Sequence, residues 1–157
     1  MDYFQGVVTD YLRASRSVFV NTECCIQLNA GANPDTSGPH WYCDAIAVDF
    51  RKGAIYLCEI SYAKSLSALL KRLDGWNANW TLLRAALVRD CAVPSQWPVQ
   101  PWVFIPSGCR DVLAKGLTKF LAAGAQMPEP KVTNLEDVVP WKYQSWNRLS
   151  EPKGDHV

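Results

Sequence analysis

Two carboxylates sit where a protein interior resists them: Asp44 in the run WYCDAIAVDF and Glu59 in YLCEIS. Both runs are apolar and read as buried strands, on which a charge is costly unless it is paired, metal-bound or open to solvent. Side chains alternate along a strand, so Asp44, Ile46, Val48 and Phe50 share one face, and Ile55, Leu57, Glu59 and Ser61 share one face of the next. Facing both aliphatic sets to one core brings Asp44 beside Glu59, because a one-residue slip would turn one set into water. A type I turn with Gly53 as a bulge would instead pair Asp44 with Ile60, but core matching outweighs turn type. Close carboxylates repel, which raises one pKa or recruits a divalent cation, and all-oxygen ligation suits Mg²⁺ or Mn²⁺.

Other constellations carry less. His40, Cys43 and Cys58, even with Cys24 or Cys25 added, lack the spacing of a zinc-ligand pair, and a Cys-His nucleophile pair would need support that the apolar surroundings of Cys43 and Cys58 do not offer. No glycine-rich phosphate loop, dinucleotide fingerprint or serine elbow occurs. Trp76, Trp80, Trp141, Tyr143 and Trp146 could stack bases or form a core seam; Trp76 and Trp80 fall on an apolar helical face and read as core, while Trp146 is freer. Asp49 faces away from Asp44 and reads as a surface residue at the hairpin end.

The elements that must position the two acids follow from periodicity. Tyr3, Phe4, Val7, Val8, Tyr11 and Leu12 recur at helical spacing, which predicts a helix over about 2–16. Ser17 to Leu28 reads as a strand and Asn29 to His40 as a loop. Trp41–Phe50 and Ala54–Tyr62 should form an antiparallel hairpin about Arg51-Lys52-Gly53. Leu66, Leu69, Leu70, Leu73, Trp76, Trp80 and Leu83 predict one long helix to about Arg89, weakened and open to a kink at Gly75. Trp102–Ile105 reads as a buried strand, Val112 to Leu121 as a helix, and Lys131 to Val139 as a last strand; the tail 150–157 reads as disordered. The order αβββαβαβ predicts an α/β fold, a mixed sheet flanked by helices, in a single domain over 1–149.

The composition is consistent with that picture. The chain has 157 residues, 48% hydrophobic, which suffices for one core. A formal net charge of +1 excludes a strongly basic, non-specific nucleic-acid binder, so any basic patch must be local. Six cysteines without a CxxC pair read as free thiols of a reducing cytoplasm, and with no secretion signal and no apolar run near ~18 residues the expectation is a soluble cytoplasmic protein without a membrane partner.

With Asp44 on the second strand and Glu59 on the third, in the order helix, three strands, helix, strand, helix, strand, residues 1 to about 141 resemble the PD-(D/E)XK phosphodiesterases with the three-layer restriction-endonuclease-like fold. The resemblance implies a metal-dependent nuclease acting on DNA or RNA, with DNA favoured. Asp44, Glu59 and the Ile60 carbonyl would hold Mg²⁺ or Mn²⁺, and the ion would lower the pKa of a bound water and offset charge on the scissile phosphate. The family's lysine position holds Ser61 here, which cannot act as a cation. Members of the superfamily can move the lysine, so Lys64 and, preferred, Lys71 are the candidates for that role. Arg72, Asn77 and Asn79 would contact the phosphate backbone, and Asp10 is the nearest equivalent of an acid often found on the first helix. The competing expectation is a catalytically inactive domain of this fold that binds nucleic acid or a protein partner as an inhibitor, immunity protein or assembly subunit. A homodimer is compatible with either, though no dimer signature is legible.

Overall fold

In the computed structural model, residues 1–29 and 38–143 are described. Most of the loop before the hairpin, Trp146, His156 and the tail from Ser150 lie outside the described residues. The elements are α1 (Tyr3–Arg13), β1 (Val18–Gln27), β2 (His40–Asp49), β3 (Ala54–Ile60), α2 (Ser67–Ala78), α3 (Trp80–Cys91), β4 (Val99–Ile105), α4 (Arg110–Leu121) and β5 (Lys131–Asn134). The protein is an α/β fold with a five-stranded mixed sheet in the order β1-β2-β3-β4-β5. The first three strands form an antiparallel meander, and β3, β4 and β5 run parallel, joined by helical crossovers.

Each face of the sheet carries its own apolar cluster. Ile55, Leu57, Val103 and Ile105 pack under α2, α3 and α4, with Trp76 and Trp80 buried among them as core. Ala45, Ala47, Tyr56, Cys58, Trp102 and Phe104 pack under Val8 and Leu12 of α1. All six cysteines are free thiols. No helix among the described residues is long and apolar enough to cross a membrane.

Three expectations need correction. The single long helix is two, and the break falls at Asn79 rather than at Gly75: Asn79 has φ −116° and ψ 19°, and its side-chain amide donates to the Gly75 carbonyl at 2.9 Å. Gly75 serves packing instead, because a Cβ there would collide with the Trp41 ring. Asp49 is buried, not a surface group; its Oδ1 accepts from the Arg51 and Lys52 N–H groups, both at 3.0 Å, and so caps the hairpin turn in which Gly53 takes φ +63°. The last strand ends at Asn134 and passes into a short 3₁₀ turn, Leu135–Asp137.

Strand alternation also inverts partway along β1 and β2. Val18 and Val20 pack on the α1 side, yet Cys24 and Ile26, of the same parity, pack on the opposite side. On β2, Ala45 and Ala47 face α1, whereas Trp41 and Cys43 face the other helices. The inversion lies between Thr22↔Ala45 and Cys24↔Cys43, at Glu23, whose φ of 54° is left-handed, and at Asp44 across from it.

Candidate active site

The hairpin register is the one that core matching selects: Ala45 pairs with Cys58 and Ile46 with Leu57, and the next step brings Asp44 opposite Glu59. The β2–β3 ladder stops at Ala45↔Cys58. Beyond it the Asp44 carboxylate replaces the ladder, its Oδ2 accepting from the Ile60 N–H at 2.8 Å.

The other Asp44 oxygen is held from α1. Asp2 and Gln5 form a capping box: the Gln5 N–H donates to Asp2 Oδ1 at 2.8 Å, and Gln5 Oε1 accepts from the Asp2 N–H at 3.0 Å. Closing the box fixes the Gln5 side chain with its amide nitrogen outward, and Nε2 donates to Asp44 Oδ1 at 2.8 Å. Sequence reasoning missed Gln5 and looked instead to Asp10, which is exposed. The D-x-x-Q spacing at the start of the first apolar helix was the available signal.

Glu59 is 4% exposed on the side of the sheet that faces α2. Arg72 Nη1 lies 2.8 Å from both Glu59 oxygens. Lys71, preferred from the sequence as the relocated cation, is exposed, as is Lys64, and neither bonds to the acids. The difference is helical phase. Leu69, Leu73 and Trp76 are the buried positions of α2, and Arg72 lies three residues after Leu69 and four before Trp76, at the margin of their stripe. Arg72, expected on the nucleic-acid backbone, is thus drawn inward to Glu59.

The other expected contacts are engaged within the fold. Asn77 Oδ1 accepts from the Gln126 and Met127 N–H groups, both at 3.0 Å, and ties the segment after α4 to α2. Asn79 closes the end of α2 through the Gly75 bond. The Ser61 N–H donates to the Phe104 carbonyl at 3.0 Å, and among the described residues its hydroxyl makes no hydrogen bond. Cys43 and Cys58 lie on opposite faces of the sheet, and the His40 ring donates from Nδ1 to the Gly38 carbonyl at 2.7 Å.

The electrostatics follow from counting charges. Asp44 and Glu59 bring two negative charges into a largely dry site and Arg72 returns one positive charge, leaving an excess of one. Burial, and then the neighbouring Asp44, push the Glu59 carboxyl up to about 8 in spite of Arg72. Burial likewise raises Asp44 above its ordinary value, against the pull of the Ile60 N–H, Arg72 and Gln5. Such a site favours one more positive charge, whether a proton or a cation.

The donor set suits a hard cation. Each Asp44 oxygen accepts one protein hydrogen bond and keeps a second lone pair, so Asp44 together with Glu59 and the Ile60 carbonyl is an all-oxygen set of the type Mg²⁺ or Mn²⁺ takes. Among the described residues no cluster of three or more His, Cys, Asp or Glu side chains is placed to hold a metal. The residues that could hold an ion are thus two carboxylates and a carbonyl, and a Mg²⁺ held by so few protein donors would keep several of its waters. No protein-family model matches the chain, and no curated protein matches it.

Proposed function

We propose that the protein is a metal-dependent phosphodiesterase of the PD-(D/E)XK type, with the restriction-endonuclease-like fold and a nucleic acid as substrate. The single observation that carries this reading is the convergence of Asp44 from β2, Glu59 from β3 and Arg72 from α2 at the end of one strand pair. The element order and the mixed sheet are in keeping with that fold.

In this reading the ion, when bound, supplies Lewis acidity and a more acidic bound water. The chain does the positioning. Gln5 and the Ile60 N–H fix both oxygens of Asp44, so its free lone pairs have one direction. Arg72 offsets part of the cost of charging the buried Glu59, whose carboxyl still stands at about 8, so near neutral pH it holds a proton that a bound cation would displace. Among the described residues Arg72 is the charged donor placed against the acids, and with its side chain 38% exposed it could also meet a phosphate oxygen, the work that the family assigns to its lysine. Six free thiols are in keeping with a reducing, cytoplasmic setting.

A second reading, a non-catalytic binding module of the same fold, is favoured by the Arg72 nitrogen lying against both Glu59 oxygens and by Ser61 at the lysine position. One experiment separates the two. Mn²⁺ is titrated calorimetrically into the protein and into Glu59→Gln, and the same samples are incubated with mixed DNA and RNA. Binding and cleavage by the wild type, both lost in Glu59→Gln, support the phosphodiesterase. A folded wild type that takes up no Mn²⁺ and cuts nothing leaves the binding module.

A further inference from the structure

Three exposed tyrosines lie close in sequence to Asp44 or to the residues that hold it. Tyr3 is 77% and Tyr62 54% exposed, and Tyr42, also exposed, precedes Asp44 by two residues on β2. The rings are organised. Phe4 lies against Tyr62 with centroids 4.6 Å apart and planes 33° from parallel, and Tyr3 meets Phe4 edge-on at 5.4 Å. Phe4 is the neighbour of Gln5, and Tyr62 lies two residues beyond Ile60, so both donors to Asp44 carry an aromatic beside them. Tyr42 meets the His40 ring edge-on at 5.2 Å.

These rings do not belong to either apolar cluster of the core. Organised aromatic rings left in water beside a polar site suit a ligand with flat, apolar faces of its own. Exposed lysines stand close by in sequence: Lys64 is two residues past Tyr62, Lys71 precedes Arg72, and among the described residues neither is in an ion pair. A ligand that combines flat rings with a chain of negative charges matches both features.

We propose that the Tyr3–Phe4–Tyr62 surface is a base-stacking platform and that the ligand of the Asp44 site is a nucleic acid strand with unpaired bases. The inference rests on the nucleic-acid reading of that site and narrows it. In a duplex the base faces are covered by their neighbours, so a protein ring can stack only on a base that is single-stranded or splayed out. The phosphates of such a strand would run toward Lys64 and Lys71, giving salt-dependent affinity that carries no sequence preference.

The test is fluorescence anisotropy in EDTA, which prevents cleavage, with labelled oligothymidylate, oligouridylate and a DNA duplex of equal length. The single strands should bind at least about tenfold more tightly than the duplex, and the two single-stranded arms report whether DNA or RNA is preferred. Tyr62→Ala should weaken single-strand binding about tenfold while Tyr62→Phe, which keeps the ring, retains it. Circular dichroism verifies that both variants are folded. Equal affinity for strand and duplex, no binding of either strand, or unchanged affinity in both Tyr62→Ala and Tyr3→Ala overturns the proposal. Ring-dependent strand binding by a protein that cuts nothing with Mn²⁺ would leave this inference standing and remove the phosphodiesterase; Mn²⁺-dependent cutting with a preference for duplex would do the reverse.

Discussion

Arg72 holds Glu59: one guanidinium nitrogen lies 2.8 Å from each carboxylate oxygen, on a glutamate that is almost wholly enclosed. Removing one partner of such a pair leaves the other charge buried and uncompensated. Arg72→Ala should destabilise the protein by ~2 kcal/mol, below the range for fully buried pairs because Arg72 itself is 38% exposed. Arg72→Lys keeps the charge and should recover part of that loss. Urea denaturation of the three proteins at neutral pH measures both effects.

The raised Glu59 carboxyl makes a statement about pH. Its folded value of about 8 lies above the ordinary 4.5, so between these values the folded state binds the proton more tightly than the unfolded chain does. This contribution to stability is complete below pH 4.5 and is lost progressively as pH rises to about 8. The upward shift of Asp44 acts in the same direction. Denaturation midpoints taken in EDTA across that window should fall with rising pH, and Glu59→Gln should flatten the slope. A wild-type curve that rises between pH 6 and 8 (about the upper half of the window) would contradict the assignment.

Gln5 uses one end of its side chain on the helix cap and the other on Asp44. Gln5→Ala removes both and should cost ~1–2 kcal/mol. Gln5→Glu keeps an acceptor for the cap but turns a carboxylate toward Asp44, so its loss of stability should be larger at neutral pH and shrink near pH ~4, where carboxyls take up protons. Thermal melts at the two pH values distinguish a lost tether from simple helix fraying.

Gly75 lies in the interior of α2, where alanine would ordinarily gain ~1 kcal/mol. The Trp41 ring occupies the space that a Cβ needs. Gly75→Ala should therefore destabilise by ~1–2 kcal/mol, and pairing it with Trp41→Leu should recover much of the loss. Because α2 carries Arg72, the single variant should also weaken any activity of the site. A gain in melting temperature for Gly75→Ala would show that the ring moves aside freely.

Much of the architecture was legible because it depends on local patterning. The period of Tyr3, Val7, Val8, Tyr11 and Leu12 gave the first helix, and the aliphatic alternation of Ile46, Val48, Ile55 and Leu57 selected the hairpin register that sets Asp44 opposite Glu59. That register follows from which side chains water excludes, a property each strand carries in its own residues. The break at Asn79 was harder to see, since leucines and tryptophans continue at helical spacing through it.

The makeup of the site was decided elsewhere. Whether Lys71 or Arg72 reaches Glu59 depends on the rotation of α2 about its axis, which is fixed by Trp41 packing on Gly75 and by Leu69, Leu73 and Trp76 against the sheet. Whether Asp10 or Gln5 meets Asp44 depends on how α1 lies across the other face and on the left-handed residue Glu23 that accompanies the inversion of β1 and β2. The sequence by itself determined which strands exist, which of their faces are apolar and that two acids share one end of a hairpin, because those are matters of local period and burial. Only the tertiary structure decided which cation and which amide those acids meet, because these partners arrive from helices 13 and 39 residues away along the chain, whose orientation is a property of the packed whole.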